Sequence, residues 1–349
     1  MNTPSTISII CPVYNEEKYI SGCIDSLLLQ DYPLDDVEII FVDGASNDNT
    51  VKIIKQYAEK YPFIKVINNP DRIVPVSLNI GIKASKGDII IRLDAHATYA
   101  ENYVSVLVNK LIKLNADNVG VVCRTDVLHK NKKTLAIKEV LSNRLGVGNS
   151  TFRLGVENIT EVDTVPFGCW RRSVFDKFGY FDTRLIRNQD IELNKRIKRG
   201  GGKIYIIPDT YCTYFARETF KEIAKNNFAN GKWIILTIFY TKQLDSLSVR
   251  HFIPLVFIVS IFLPVMLCIF YRPILYLSIL SLVAYLLLIL FVSIFLSIKK
   301  RLNLVFLSLS FIVLHFSYGF GSLIGTCKSI SLKICESIRN KEKYPDPTF

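Results

Sequence analysis

Several short polar groupings in this 349-residue chain carry side chains able to act on a ligand. In the stretch IIIRLDAHATY (89–99), an apolar run delivers Asp94 and then, two positions on, His96, one of only four histidines. A carboxylate and a neutral imidazole at that spacing can turn toward one bound cation. The pair suits Mn²⁺ and is less comfortable for Mg²⁺, which prefers oxygen ligands and water. A cation held by two protein groups alone must fill its shell with phosphates of a substrate. The competing reading is a core histidine beside a capping aspartate.

The stretch PVYNEE (12–17) sets Pro12, Tyr14 and Glu16 just past another apolar run. An aromatic ring and a carboxylate there can hold a heterocyclic base and a ribose. Equally, Asn15 can cap a helix whose first turn welcomes Glu16 and Glu17. In VDGASNDNT (42–50), Asp43 ends a strand-like run, Gly44 permits a tight turn, and Asp48 or Asn49 can start a helix. An acid in that place can recognise a ribose or base edge, or simply cap its turn. If a helix begins at Gln189, Asp190 shares an inward face with Leu193, Asn194 and Ile197, while Glu192, Lys195 and Arg199 form a solvated stripe. An inward carboxylate in a first turn is suited to general-base work, or to complementing the helix dipole.

The elements that must position these groups follow from periodicity. Strands are expected at 7–11, 37–43, 64–68, 88–94 and 118–124. Helices are expected between them, the first carrying Ile20, Cys23, Ile24, Leu27 and Leu28 on one face. Others cover 51–61, roughly 75–85, and 101–114. Strand and helix in alternation with short turns predict an α/β, Rossmann-like domain built on a parallel sheet covered on both faces. Ligands bind such sheets at the carboxyl ends of the strands, where Pro12–Glu16, Asp43–Asp48 and Asp94–His96 fall. Beyond residue 125 the pattern loosens. Residues 146–160 read as a mobile loop, a helix starts near Gln189, and a short strand occupies 203–208.

The C-terminal third differs in kind. Phe252–Phe270, Ile274–Ile298 and Leu302–Cys327 carry no charge, and each is long enough to cross a bilayer as a helix. The expected organisation is a catalytic domain over 1–215 and amphipathic interfacial helices over 216–250. Membrane segments then follow near 252–271, 274–298 and 302–326, within 251–327, with a basic tail over 328–349. Met1–Ser5 is polar and Ile7–Cys11 is too short for a signal-peptide core, so the N-terminal domain is expected on the cytoplasmic face of a multi-pass inner-membrane protein. Eight cysteines without a C-x-x-C pair are expected to be reduced thiols. A net charge of +12 suits anionic lipid or phosphates. No basic run is interleaved with aromatics in a recognisable nucleic-acid module, so no nucleic-acid partner is expected.

Taken together, PVYNEE, VDGASNDNT, LNIGIKASKGDIIIRLDAH and NQDIELNKRI resemble family 2 inverting glycosyltransferases of the glycosyltransferase A fold, in order and spacing over about 230 residues. The Asp-Ala-His variant and the ending HFSYGFGSLIG look most like bacterial exopolysaccharide glucosyltransferases of the succinoglycan type. The resemblance implies a nucleotide pocket lined by Pro12, Tyr14 and Glu16, with Asp43 at the base or ribose and Asn79 and Gly81 on a helix beside it. It implies Asp94 and His96 in place of the Asp-x-Asp that holds Mn or Mg, and Asp190 as base next to Gln189. Lys232 and Trp233 match part of the Gln-x-x-Arg-Trp region of processive synthases. The implied partners are a nucleotide-sugar donor, a lipid-linked saccharide acceptor and the membrane. Rival readings are a polyprenyl-phosphate sugar synthase and a non-catalytic membrane scaffold.

Overall fold

Alternation along each central strand decides which helices it meets. In the computed structural model, which describes residues 5–243 and 249–343 (side chains only as far as 335), β1 spans Ile7–Val13, β2 Val37–Asp43, β3 Ile64–Asn68 and β4 Ile89–Arg92. Ile7, Ile9 and Cys11 of β1, Ile39 and Phe41 of β2, and Ile89 and Ile91 of β4 face one apolar cluster. Ile10, Ile40, Val42 and Ile90 face the other. Helices Ile20–Leu28, Thr50–Lys60 and Tyr103–Lys113 contribute to the first cluster, and Val74–Ala84, Ser173–Phe178 and Gln189–Arg199 to the second. A sheet buried on both faces requires such near-continuous β-branched runs.

The sheet is mixed where the sequence predicted a parallel one. The remaining strands are β5 (Ala97–Tyr99), β6 (Asn118–Asp126), β7 (Thr160–Glu161), β8 (Cys169–Arg171) and β9 (Ile204–Phe215). Among the described residues the order is β3-β2-β1-β4-β8-β6-β9-β5, with β7 beside β9. The half β3-β2-β1-β4 is parallel, as expected. From β8 onward, antiparallel pairs enter at β4–β8, β8–β6 and β9–β5. Residues 146–160, expected as a loop, overlap two short helical turns, Arg144–Val147 and Thr151–Leu154.

A second compact unit comprises 129–140 and the chain after Ala216, so residues 129–140 leave the expected catalytic segment. One long helix, Phe220–Thr241, occupies most of the region expected as interfacial helices, and Thr219 and Glu222 close its N-terminus as a reciprocal capping box. Val249–Leu267, Arg272–Lys300 and Leu304–Cys335 are each long and apolar enough to cross a membrane. Helix Leu275–Lys300 buries Ser278 and Ser293 while exposing Leu280, Leu287, Phe291 and Phe295. That inverts the pattern of a helix in water and matches packing within lipid, where small polar residues face the bundle. The last helix runs from Leu304 to Lys343, so the expected separate tail begins as more helix.

Glycines let that last helix approach its neighbour. A side chain at Gly321 would land on the Phe228 carbonyl oxygen, one at Gly231 on the Tyr318 carbonyl, and one at Gly325 on the Lys232 carbonyl. Gly321→Leu should therefore separate the two helices and lower the melting midpoint of detergent-solubilised protein, since overpacking costs about 1–3 kcal/mol or more. Ile324→Ala, at a position 46% exposed, should leave the midpoint within a degree or two. Equal midpoints for both variants would rule out the glycine seam as a determinant of packing.

Candidate active site

The register of the parallel strands brings the expected groupings together. Val13 is the Cα partner of Asp43, Asp43 of Asn68, and Ile10 of Arg92. The carboxyl ends of β1, β2 and β4 therefore lie side by side, and the loops leaving them are tied to one another. The Gly44 amide donates to the Val13 carbonyl at 2.8 Å, and Leu93 to Ile10 at 2.9 Å.

The loops after β1 and β2 form one hydrogen-bonded unit. Asn15, at φ 54, donates its amide to Ser46 Oγ at 2.9 Å, and its side-chain oxygen accepts from the Asn47 amide at 2.9 Å. The Glu16 amide donates to Thr50 Oγ1 at 2.7 Å, while Asp48 Oδ1 accepts from the same hydroxyl at 2.6 Å. Asp48 is held below the usual carboxylate range. Burial acts against this, but the bonds from Thr50 and the Glu17 amide outweigh it. Asp43 is buried and accepts from the Ser46 hydroxyl at 2.6 Å and from its amide. Asp43 thus caps its own turn, with its backbone carbonyl taking the Asn69 amide. Tyr14 projects from this unit with 48% exposure, an open aromatic face beside Asp43's turn.

His96 has company that its sequence neighbours do not reveal. Its Nδ1 lies 3.0 Å from Glu16 Oε1, and its Nε2 lies 2.9 Å from the Tyr214 hydroxyl. Tyr19 and Tyr214 meet the ring edge-on. Burial disfavours the charged imidazole, but the Tyr214 oxygen, the Glu16 carboxylate and Asp94 outweigh it and hold its pKa at about 10. Both ring nitrogens are thus engaged. Metal ligation by His96 would require releasing one of these bonds, so this arrangement does not present the imidazole expected beside Asp94. Glu16, expected at the nucleotide, spends one oxygen on His96.

Asp94 sits just beyond β4 with 22% of its side chain exposed. Its Oδ1 lies 3.3 Å from Arg92 Nη2, and its Oδ2 takes no hydrogen bond from the described residues. Its backbone is clamped by Tyr99, whose hydroxyl accepts from the Asp94 amide and donates to the Asp94 carbonyl, each at 2.9 Å. Among the described residues, no cluster of three or more His, Cys, Asp or Glu side chains could hold a metal unaided. Asp94 fits a cation that arrives with phosphate oxygens of its own. His96, as placed, does not.

Asp190 is the second residue of helix Gln189–Arg199, which Asn188 enters from φ 63. Its Oδ1 accepts from the Ile191 amide at 2.9 Å. Leu193, Asn194 and Ile197 are buried as expected, but so is Glu192, which pairs with Arg196 instead of joining a solvated stripe. Gln189 is buried, and its Oε1 has no hydrogen-bond partner among the described residues. Asn79 spends its whole amide on the Phe181 backbone, accepting at 3.0 Å and donating at 2.8 Å. Gly81 lets its helix close on Ile10, where a side chain would collide. Both therefore pack the helix that flanks the sheet. Lys232 and Trp233 belong to the second unit, on helix Phe220–Thr241. Sequence reading missed Tyr214 and Arg92.

A protein of Methanococcus voltae, dolichyl N-acetyl-alpha-D-glucosaminyl phosphate 3-beta-D-2,3-diacetamido-2,3-dideoxy-beta-D-glucuronosyltransferase, is 31% identical over 231 residues, 64% of this chain and 71% of that protein. The succinoglycan biosynthesis protein ExoA of Rhizobium meliloti (strain 1021) is 27% identical over 232 residues, 66% of this chain and 69% of its own. The mannosyltransferase PcManGT of Pyrobaculum calidifontis, solved with GDP-Man and Mn²⁺, superposes with a TM-score of 0.57. It is 18% identical and covers 92% of this chain and 88% of that one, a likeness of fold. The model of glycosyl transferase family 2 matches residues 8–179, the segment that carries β1 to β4 and the loops described above, and with the Methanococcus relative it places this chain in that family.

Proposed function

We propose that the protein is a membrane-anchored inverting hexosyltransferase. It moves a sugar from a nucleotide donor, UDP-glucose or a close relative, to a lipid-linked saccharide in cell-surface polysaccharide synthesis. One observation carries the reading. Asp43, Asp94 and the Glu16–His96 pair gather at the aligned carboxyl ends of β1, β2 and β4, the place where open α/β sheets take their ligands.

In this reading Pro12, Tyr14 and Asp43 receive the base and ribose, with Glu16 and His96 bracing the wall of that pocket. Asp94 would hold a divalent cation, Mn²⁺ or Mg²⁺, which when bound offsets the charge developing on the departing diphosphate. Asp190 accepts the proton of the acceptor hydroxyl as that oxygen bonds to the anomeric carbon and the bond to the diphosphate breaks. A single displacement inverts configuration at that carbon. A lipid-linked acceptor is supported by the three apolar helices and by the Methanococcus relative, whose name specifies a dolichyl-linked sugar phosphate. The catalytic unit would then work at headgroup level on the cytoplasmic face, where Lys221, Lys225, Lys232 and Trp233 meet anionic lipid and phosphates.

The test is nucleotide release by detergent-purified protein offered UDP-, GDP- and TDP-sugars with Mn²⁺, Mg²⁺ or EDTA, with and without a lipid extract. Metal-dependent release from one donor, stimulated by the extract, is expected. Release with polyprenyl phosphate as sufficient acceptor would replace this reading with a polyprenyl-phosphate sugar synthase. Silence across the panel, together with no nucleotide binding, would leave a scaffold.

A further inference from the structure

A buried arginine reaches the partly exposed carboxylate of this site. Arg92 is 7% exposed, and its Nε and Nη1 are buried with no hydrogen-bond partner among the described residues. Its Nη2 reaches Asp94 Oδ1 at 3.3 Å, and its guanidinium lies 5.7 Å from the centre of the Phe167 ring. It follows Ile90 by two residues, so both stand on the sheet face covered by helix Gln189–Arg199. Its own amide is fixed to the Gly168 carbonyl at 3.0 Å. Phe167 reaches its place through a turn with φ 61 at Phe167 and 121 at Gly168, where Trp170 and the Asn118 side chain leave no room for a side chain.

Burying a guanidinium with two nitrogens unpartnered is costly. Its one polar side-chain partner is itself partly solvated, and an apolar residue of similar length would fill the same space at lower cost. A group that is expensive to the fold and aimed at one functional carboxylate is better explained by the site than by the core.

We propose that Arg92 is a positioning residue for Asp94, restraining Oδ1 so that Oδ2 is presented to the donor's diphosphate and its cation. This rests on the reading of Asp94 as the donor-site carboxylate. In this scheme Arg92 is directed at Asp94 and not at substrate: Nε and Nη1 are sealed from solvent, and Nη2 is the nitrogen that reaches the carboxylate. It acts through Asp94 alone, and its charge is retained against the stability of the fold.

The test uses the full chain in detergent, with two readouts: melting, and titration with UDP and with GDP, each with Mn²⁺. Arg92→Met should melt at or above the wild-type midpoint while its nucleotide affinity falls at least tenfold. Arg92→Lys, which keeps the charge and loses the planar fork, should fall between. Asp94→Ala should bind weakly whether or not Arg92→Met is added, and the second change should recover melting lost by the first. Three results would each overturn the role: Arg92→Met binding like wild type, losses that multiply in the double variant, or an Arg92→Met that melts markedly lower or fails to fold. Wild-type protein that binds neither nucleotide would overturn the site reading and the positioning role with it, and is distinguished by failing before any variant is compared.

Discussion

Asp190→Asn should reduce sugar transfer by at least about 10²–10⁴-fold, the usual contribution of a positioned proton acceptor, while leaving donor affinity within about twofold. The variant isolates one property. The carboxylate is pinned by the Ile191 amide through Oδ1, and an asparagine oxygen can accept the same bond. The helix start also survives, because the chain enters it at Asn188 in the left-handed region and buries Leu193, Asn194 and Ile197 independently of residue 190. What the amide cannot do is accept a proton from an acceptor hydroxyl. Product formation and nucleotide titration on the same preparation check both halves. Full activity would remove Asp190 from the base role, and weakened donor binding would make it part of the donor pocket instead.

Much of the parallel half of the sheet was legible because its strands are short, β-branched and bounded by turn residues. The expected strands 37–43 and 64–68 coincide with β2 and β3, and Glu16 and Asp43 stand where β1 and β2 end. The antiparallel half was not legible, and β9 shows why. The sequence reading ended that strand at Pro208. In the structure Val121 pairs with Ile207 and Val122 with Tyr211, so the residues between are bulged out and the strand resumes to Phe215. That resumption delivers Tyr214 to His96. The signal was present in TYCTYF, whose threonines and aromatics favour a strand after the break.

Other differences arise from partners distant in sequence. Nothing near residue 96 announces that Glu16 and Tyr214 will take both nitrogens of His96, so a ligand-ready imidazole was the natural local reading. Glu192 was placed on a solvated stripe by periodicity alone. It is buried because Arg196 pairs with it and donates also to the Phe178 and Tyr180 carbonyls, satisfying a charge that would otherwise face water. Arg92 could have been singled out earlier: a lone cation inside IIIRLD contradicts the strand around it, and such local contradictions mark functional sites.

Asp94→Asn should cost at least about 100-fold in Mn²⁺-dependent nucleotide affinity while sparing the fold, a loss beyond the 10–100-fold typical of residues that merely support a ligand. The loop will not move, because its backbone is held by the Tyr99 hydroxyl on both the amide and the carbonyl of residue 94. The asparagine oxygen can still accept from Arg92, so the buried guanidinium keeps its one side-chain partner. The change is then confined to the negative charge on the side chain's exposed edge. Titrating UDP and GDP against the variant with Mn²⁺ and with EDTA separates the contributions. The expected outcome is loss of the difference between the two conditions, with whatever metal-free affinity the loops after β1 and β2 provide left intact. A variant whose titrations match wild type in both conditions would take Asp94 out of the cation's shell. Because Glu16 and Tyr214 engage both nitrogens of His96, the cation's place would not pass to that imidazole.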